Sequence, residues 1–293
     1  MTQPIIGFAG LGVMGEPICR NILTKSGARV HVFDTRAEPV ERLVSHGAVA
    51  APSVADLAAT VDILFLSLPG GPQVEAVVCG DDGVLAHGKP GLLLVDMSTA
   101  PVGLTRFIAG RMEAKSMRFA DAPVARTRQA AEDGTLSIMV GASPDVFDEI
   151  RPLLDHAASD VTHCGAVGCG QVVKILNNMV LFETVVALSE ALALGRGAGV
   201  DPALLFDTLS KGSADSFALR NHGIKAMLPD TFPTGAFPTE YALKDVSYAL
   251  DLATTTGLRA HGAELAQARM QKAAKAGYGA EYFPVLARVM DKA

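Results

Sequence analysis

The stretch GFAGLGVMGEPICRNIL, residues 7–23, contains the pattern Gly-x-Gly-x-x-Gly, formed by Gly10, Gly12 and Gly15. It follows an apolar run and precedes a segment with helical spacing. In such a turn the first glycine permits a tight bend, the second lets the backbone approach a pyrophosphate, and the third lets helix and strand pack closely. The stretch therefore predicts the first strand, turn and helix of a dinucleotide-binding sheet. An ordinary strand-to-helix turn is the alternative.

An acidic residue at the end of the second apolar run bears on the choice of dinucleotide. Asp34 ends the run RVHVFD, residues 29–34. It lies about twenty residues after the glycines, where dinucleotide-binding domains carry the acid that contacts the ribose. A carboxylate there accepts hydrogen bonds from a ribose 2′-hydroxyl and repels a 2′-phosphate, so NAD is predicted. Arg36 keeps NADP open as an alternative, because a guanidinium can bind a 2′-phosphate.

The first half of the chain alternates short apolar runs with amphipathic stretches, from Ile5 to about His163. This alternation is typical of βαβ units around a parallel sheet whose two faces are both covered. We therefore predict an α/β Rossmann-type domain at residues 1–165, doubly wound around a mainly parallel sheet.

The second half has helical spacing throughout, beginning after Gly170. Its breaks are GVDP, LPDTFPTGAFPTEY and TTTGL, which contain the residues that end helices. We predict an all-α domain at residues 166–293, joined to the first by a long interdomain helix from about Val167 to Ala198.

The charge balance argues against a polyanionic partner. The 293 residues carry 25 Lys and Arg against 31 Asp and Glu, a formal net charge of −6, which repels nucleic acid and anionic membranes. The most apolar long stretch, Met179 to Leu194, carries Glu183 and Glu190 and is expected to be a buried helix rather than a membrane anchor.

Cysteine usage and the N-terminus favour a cytoplasmic protein. Only Cys164 and Cys169 among the four cysteines are close in sequence, and no second pair completes a zinc tetrahedron. We expect reduced thiols and no metal site, with a metal or a reactive thiol in HCGAVGCG as the alternative. The start MTQPIIGFAG lacks the pattern of a secretory signal.

The segment KILNN carries a candidate acid/base group. On a helix, Lys174 and Asn178 are four residues apart and project from one face. A lysine in so apolar a helix is partly desolvated, which eases the loss of its proton, and hydride chemistry on an alcohol requires such a group. A lysine that extends toward solvent beside a hydrogen-bonding amide is the alternative.

Five segments together resemble the β-hydroxyacid dehydrogenase family, which includes 3-hydroxyisobutyrate dehydrogenase and tartronate semialdehyde reductase. They are GLGVMGEPICRNIL, DMST, DAPVARTRQAAEDGTL, GCGQVVKILNNMVL and ALKDVSYALDLA. The resemblance extends over essentially the whole chain. It implies an NAD-dependent oxidoreductase acting on CH–OH, which interconverts a short 3-hydroxy acid and its semialdehyde or oxo acid. It also implies that Lys174 is the acid/base and that Asn178 orients it and the substrate.

The resemblance further implies which residues line the cofactor, besides the three glycines and Asp34. These residues are Val13, Met14, Leu68, Pro69, Thr99 and Lys244. Without the resemblance, Lys244 and Asp245 would be an ordinary solvated pair on a helix.

The chain departs from the family where substrate is bound. Most members have Ser-Gly-Gly where this chain has Ala125-Arg126-Thr127. Arg126 adds donors suited to a carboxylate, sulfonate or phosphate, and Thr127 adds a hydroxyl. We expect Arg126, Thr127, Asn177 and Asn178 to bind a small anionic substrate. A surface or interdomain ion pair is the alternative for Arg126, and Arg128 is expected to be solvated.

The Arg-Thr pair also resembles the branch of the family that contains sulfolactaldehyde reductase, described as acting on 4-hydroxybutyrate as well. That branch has a serine where this chain has Leu181, which weakens the sulfonate interpretation. A dinucleotide-binding module without turnover is a further alternative, and the intact Lys174 and Asn178 argue against it. The apolar helical half favours a homodimer or homotetramer.

Overall fold

The computed structural model describes residues 3–290. The chain divides into two compact units, Met1–Lys174 and Ile175–Ala293. This division falls inside one long helix, whereas the boundary predicted from the sequence, between residues 165 and 166, falls at the end of the last strand.

The N-terminal unit is built on a nine-stranded sheet. Its strands are β1 (Ile6–Ala9), β2 (Val30–Phe33), β3 (Val49–Ala50), β4 (Ile63–Leu66), β5 (Leu93–Asp96), β6 (Arg118–Asp121), β7 (Val124–Ala125), β8 (Leu136–Gly141) and β9 (Ala158–Gly165).

Eight helices of this unit connect or flank these strands. They are α1 (Gly15–Ser26), α2 (Ala37–Val44), α3 (Val54–Thr60), α4 (Gly71–Cys79), α5 (Val84–His87), α6 (Val102–Glu113), α7 (Arg128–Asp133) and α8 (Pro144–Leu154).

The strand order is β3-β2-β1-β4-β5-β6-β8-β7, and β9 pairs with β8. The pairs from β3 to β6 are parallel, as is β8 with β9, while β8 runs antiparallel to β6 and β7. The predicted doubly wound, mainly parallel sheet is confirmed. The two-residue strands β3 and β7 were not predicted, because two residues are too few to show a periodicity.

Both faces of the sheet carry a hydrophobic core, and alternate residues of one strand enter different cores. In β4, Ile63 and Phe65 pack on one side with Ile6 and Phe8, whereas Leu64 and Leu66 pack on the other. The central strands β1 and β4 are therefore without polar side chains, which is the pattern that the sequence displays there.

The C-terminal unit is helical, as predicted. Helix α9 (Cys169–Gly197) enters it from the N-terminal unit, and α10 (Pro202–Leu209), α11 (Thr239–Thr255) and α12 (His261–Ala273) follow. Two segments with π-type hydrogen bonding, Leu219–Met227 and Ala274–Tyr278, and a 3₁₀ segment, Phe283–Val289, complete it.

Helix α9 is the one described helix between residues 3 and 290 that is long and apolar enough to cross a membrane by those criteria. Its side chains Phe182, Val185 and Leu192 lie in the core of the C-terminal unit. Burial in that core accounts for part of the apolar composition of α9, since 39% of its most apolar window is buried and other apolar side chains, such as Val180 and Leu194, are exposed.

Candidate active site

The glycine turn after β1 has the geometry that its sequence predicts. Gly10 adopts φ +91°, and a Cβ there would lie 2.3 Å from the backbone oxygen of Ser67. A Cβ on Gly15 would lie 2.0 Å from the oxygen of Gly10. A Cβ on Gly12, in contrast, would meet no protein atom within 4 Å. Protein packing explains Gly10 and Gly15 but not Gly12, where the space beside the backbone matches the predicted approach of a pyrophosphate.

A cavity of about 300 Å³ adjoins this turn, and its lining contains more arginines than carboxylates. Its arginines are Arg20, Arg36, Arg42 and Arg128, and it also contains Gly12, Val13 and two glutamates. Arg42 forms a bidentate pair with Glu16, at 2.6 and 2.8 Å. The excess of guanidinium groups over carboxylates suits an anionic dinucleotide.

Asp34 follows β2 and is held by backbone donors. Its Oδ2 accepts from the N–H of Leu11 at 2.6 Å, and its Oδ1 accepts from the N–H of Arg36 at 2.9 Å. Burial alone would raise the pKa of Asp34, but these bonds and the Arg36 guanidinium lower it. The carboxylate is therefore ionised at neutral pH. Arg36 lies folded onto it, with Nε 3.2 Å from Oδ1.

The residues expected to line the dinucleotide follow three neighbouring strands. Val13 and Met14 follow β1, Leu68 and Pro69 follow β4, and Thr99 follows β5. Strands β1 and β4 lie where the strand order reverses, which is where open α/β sheets bind their ligands.

Lys174 and Asn178 lie on α9 and are both buried, with 9% and 4% of their surface exposed. The Nδ2 of Asn178 donates to Oδ2 of Asp245 at 2.7 Å, and its Oδ1 accepts from Nδ2 of Asn177 at 3.1 Å. Asn177 itself is exposed. Two partners thus determine the orientation of the Asn178 amide.

Lys244 precedes Asp245 in α11 and is more constrained than a solvated lysine. Its Nζ is 3.1 Å from Oδ1 of Asp245, and it lies 5.2 Å and 5.4 Å from the ring centroids of Tyr241 and Tyr248. Asp245 is buried and contacts both Lys244 and Asn178. Sequence reasoning gave Asp245 no function of its own.

A signal for Asp245 was nevertheless present in the sequence. In α11 the buried positions include Ala242, Asp245, Val246 and Ala249, so this acid stands on the apolar stripe of its helix. A carboxylate on such a stripe requires a polar partner inside the protein. Of its two partners, Lys244 is adjacent in the sequence, whereas Asn178 is remote and only the fold identifies it.

Arg126 follows β7 in an unusual backbone conformation, with φ +87°. Its Nη1 donates to the carbonyl of Thr135 and to the hydroxyl of Ser159, both at 2.6 Å, and its Nη2 donates to Oδ2 of Asp160 at 2.6 Å. The side chain remains 41% exposed. An ion pair was the alternative that the sequence left open, and this structure contains one.

The two residues after Arg126 are the N-cap and the first residue of the short helix α7. The hydroxyl oxygen of Thr127 accepts from the N–H of Ala130 at 3.3 Å and caps α7. Arg128 pairs with Glu132 at 2.9 Å and its side chain is 67% exposed. Arg128 is solvated, as expected.

Asp121, at the end of β6, is a buried acid for which the sequence pattern predicts no function. Burial raises its pKa to about 6, although the N–H groups of Gly168, Gln171 and Gly170 act in the opposite direction. The donors belong to the start of α9, so the Asp121 carboxylate accepts hydrogen bonds from the N-terminus of this helix.

The cysteines are all unpaired thiols. Burial raises the pKa of Cys19, Cys79 and Cys164, so these thiols are protonated and weakly nucleophilic at neutral pH. No cluster of three His, Cys, Asp or Glu side chains arranged for a metal occurs in the described range, residues 3–290.

The fold and the glycine turn define a nicotinamide dinucleotide-dependent oxidoreductase. Two family models match the chain. Residues 5–165 match the NAD binding domain of 6-phosphogluconate dehydrogenase, and residues 168–290 match the model described as NAD-binding of NADP-dependent 3-hydroxyisobutyrate dehydrogenase. The chain belongs to the β-hydroxyacid dehydrogenase family, and NAD is its cofactor.

Named relatives are similar over most of their length. A 2-(hydroxymethyl)glutarate dehydrogenase of Eubacterium barkeri is 39% identical, over 84% of this chain and 81% of that protein. A 3-hydroxyisobutyrate dehydrogenase of Pseudomonas aeruginosa is 38% identical, over 84% of each. The structure of Mycobacterium tuberculosis 3-hydroxyisobutyrate dehydrogenase with L-serine is similar with a TM-score of 0.89 and 30% identity, covering 99% of this chain and 100% of that one.

Proposed function

We propose that this protein uses NAD to oxidise a short 3-hydroxy acid to its semialdehyde or oxo acid, and catalyses the reverse reduction. The observation that carries the proposal is the buried pair Lys174 and Asn178 on one face of α9, with Asn178 oriented by Asp245. The named relatives act on acids that bear a hydroxymethyl group or a comparable 3-hydroxyl, which supports this substrate class.

The residues have distinct roles in this reaction. NAD supplies the hydride acceptor when bound by the glycine turn and Asp34. In the oxidation, the neutral amine of Lys174 takes the hydroxyl proton as the C–H hydride departs, and in the reduction its ammonium returns that proton. Asn178 positions the reacting oxygen, because Asp245 and Asn177 fix the orientation of its amide.

Arg126 is proposed to bind the anionic end of the substrate. Its contacts use three of the five N–H donors of a guanidinium. In the described part of the chain, the donors left over are on Nε and Nη2, which present an edge suited to a carboxylate. Thr127 and Asn177 are proposed to support that contact.

A second substrate class follows from the same arginine. Sulfolactaldehyde and succinate semialdehyde, the latter giving 4-hydroxybutyrate, also place an anion at a distance from a reducible carbonyl. Arg126 in place of the family's glycine favours a substrate with such an end, whereas Leu181 argues against the sulfonate.

A substrate panel tests the proposal. The purified protein is mixed with NAD or NADP and, in turn, L-serine, 3-hydroxyisobutyrate, 2-(hydroxymethyl)glutarate, 4-hydroxybutyrate and sulfolactate. We expect turnover of at least one 3-hydroxy acid, with NAD preferred. NADH binding without turnover of any compound would favour a dinucleotide-binding module instead.

The variant Lys174→Ala tests the assigned acid/base. We expect kcat to fall by about 10²-fold or more, the usual effect of losing a general acid/base, while the Kd for NADH changes little. Lys211→Ala, at an exposed lysine of the C-terminal unit, is the matched control and should retain full activity. Turnover retained by Lys174→Ala would remove this residue from the mechanism.

We also propose that the protein is a cytoplasmic homo-oligomer, either a dimer or a tetramer. The unpaired thiols support a reducing compartment. Val173, Leu176 and Val180 are exposed on α9, and they support association. Fractionation of cells that produce the tagged chain tests the compartment, and recovery with the membranes would contradict it.

A further inference from the structure

Gln171, in the first turn of α9, is fully buried and bonded at both ends of its amide. Its Oε1 accepts from the N–H of Ala100 at 3.1 Å, and its Nε2 donates to the carbonyl of Ser98 at 2.7 Å. One side chain therefore bridges the backbone on either side of Thr99, the residue after β5 that is expected to contact the cofactor.

The backbone of Gln171 is held as well. Its N–H donates to Oδ2 of Asp121 at 2.8 Å, and the N–H of Gly168 donates to Oδ1 of the same carboxylate at 2.6 Å. Asp121 is fully buried at the end of β6. The first turn of α9 is thus attached to β6 through its backbone and to the loop after β5 through a side chain.

The surrounding residues leave room for this arrangement. A Cβ on Gly141 would lie 2.4 Å from Oδ1 of Asp121, and a Cβ on Gly170 would lie 2.7 Å from Oδ2. Neither position therefore accommodates a larger residue beside the carboxylate. A Cβ at 170 would also lie 2.4 Å from the backbone oxygen of Met139, so β8 and Asp121 together require the glycine in VGCGQ.

The same network continues toward the cofactor residues. The hydroxyl of Ser98 accepts from the N–H of Leu68 at 2.9 Å, and the N–H of Ser98 donates to Oδ1 of Asp96 at 2.9 Å. The loops after β4 and β5, which carry Leu68 and Thr99, are consequently bonded to each other and to Gln171.

Lys174 lies one helical turn after Gln171. Residues three apart on a helix project from the same face, about 4.5 Å apart along the axis. Any displacement of the first turn relative to the Ser98–Ala100 loop therefore displaces Lys174 relative to the bound cofactor. Misplacement of a reacting group by about 1 Å can cost 10²-fold in rate.

We propose that Gln171 is a positioning residue, which sets the place of Lys174 by bonding the first turn of α9 to the backbone on both sides of Thr99. This inference rests on the proposed role of Lys174. Gln171 touches neither substrate nor hydride, and acts through the residue one turn later.

The test begins with Gln171→Met, which keeps the length of the side chain and removes both hydrogen bonds. We expect kcat to fall by about 10-fold or more, and the Kd for NADH to rise by roughly threefold to tenfold as the loop around Thr99 loosens. Gln271→Met, at an exposed glutamine of α12, is the control and should change neither quantity.

A double-mutant cycle separates positioning from general damage. In the Lys174→Ala background, Gln171→Met should lose most of its effect on kcat, because the group it positions is absent. An equal loss of kcat in both backgrounds would overturn the proposal, as would a kcat equal to that of the parent protein.

Gln171→Glu supplies a rescue that a merely structural role does not predict. Its protonated carboxyl accepts from Ala100 and donates to Ser98 as the glutamine does, whereas the ionised carboxylate faces the Ser98 carbonyl without a proton. The ratio of variant to parent kcat should therefore rise as the pH is lowered, and a constant ratio would contradict the proposal. If Gln171→Met does not fold, Gln171→Glu tests the positioning role in its place.

The outcome remains interpretable if the proposed function fails. A parent protein that binds NADH but oxidises no acid of the panel contradicts the function, and the NADH titrations then decide the inference alone. An increased Kd for NADH in Gln171→Met supports the inference that Gln171 holds the loop around Thr99 in place, and an unchanged Kd overturns that inference.

Discussion

Arg126 occupies a backbone conformation, φ +87°, that favours glycine. For a residue with a Cβ this costs roughly 1–3 kcal/mol. Its bonds to Thr135, Ser159 and Asp160 offset part of that cost. An arginine retained in a strained conformation at a position where the family has glycine is a reason to expect a function for its guanidinium.

We predict that Arg126→Gly raises KM for the acid substrate and lowers kcat/KM by about tenfold to a hundredfold. A charge-assisted hydrogen bond is worth roughly 1.5–3 kcal/mol. NADH affinity should not change, and neither should stability by much, because relief of the backbone strain opposes loss of an exposed ion pair. Steady-state kinetics with the best acid of the panel measure the effect.

The methyl ester of the same acid is the control substrate for Arg126. It should already be poor with the parent protein and lose little more in the variant, while Arg151→Ala, at an exposed arginine of α8, should leave both substrates unaffected. Equal losses for acid and ester would show that Arg126 serves only its ion pair with Asp160.

At the scale of the element, the segment Leu219–Met227 places a histidine inside the C-terminal unit. His222 packs against the rings of Phe217, Tyr282 and Phe283 at centroid distances of 5.2–5.8 Å. Its Nδ1 bonds to the Tyr282 hydroxyl, and its Nε2 is buried without a partner in the described part of the chain. Burial lowers the pKa of His222 to about 4.

This burial predicts a loss of stability in mild acid. The unfolded chain binds a proton at His222 below about pH 6.5, and the folded chain does so only below about pH 4. The contribution is therefore fully present above about pH 6.5 and is lost progressively as the pH falls from 6.5 to about 4. Between pH 7 and pH 5 the free energy of unfolding should fall by roughly 2 kcal/mol from this group alone.

Urea unfolding at pH 7 and pH 5, followed by circular dichroism, measures the loss. His222→Asn removes the titrating ring, so its stability should depend less on pH over this range, even if it is lower at both values. His46→Asn, at an exposed histidine of the N-terminal unit, is the control. A pH dependence unchanged in His222→Asn would contradict the prediction.

At the scale of the whole molecule, α9 carries an apolar stripe on its outside. Val173, Leu176 and Val180 are 41%, 39% and 57% exposed and are spaced three and four residues apart. This spacing places them on one face of the helix. Contiguous exposed apolar side chains on a folded protein mark a contact surface more often than isolated ones do.

We predict that the protein sediments as a dimer or tetramer and that Val180→Glu weakens the association by at least about tenfold. A carboxylate buried without a partner in an interface costs several kcal/mol. Val44→Glu, at an exposed valine of α2, should leave the mass unchanged. Sedimentation of the parent protein as a monomer at micromolar concentration would contradict the prediction.

The sequence by itself determined the fold class and the cofactor. Gly10, Gly12 and Gly15 act through the backbone of their own turn, and Asp34 lies about twenty residues after them in the sequence. The period of apolar residues separates strands from helices, and Lys174 and Asn178 share a helix face by spacing alone. Each of these signals is local, because the residues involved are neighbours in sequence or in one element.

Only the tertiary structure decided which buried polar groups meet. Asp245 orients Asn178 from another helix, and Gln171 is bonded to a loop about seventy residues earlier in the chain. Only the structure shows that the Arg126 guanidinium donates a hydrogen bond to Asp160. No periodicity records such contacts, since each depends on which elements the sheet and the helical unit bring together, and a buried polar group takes the partner that the fold supplies.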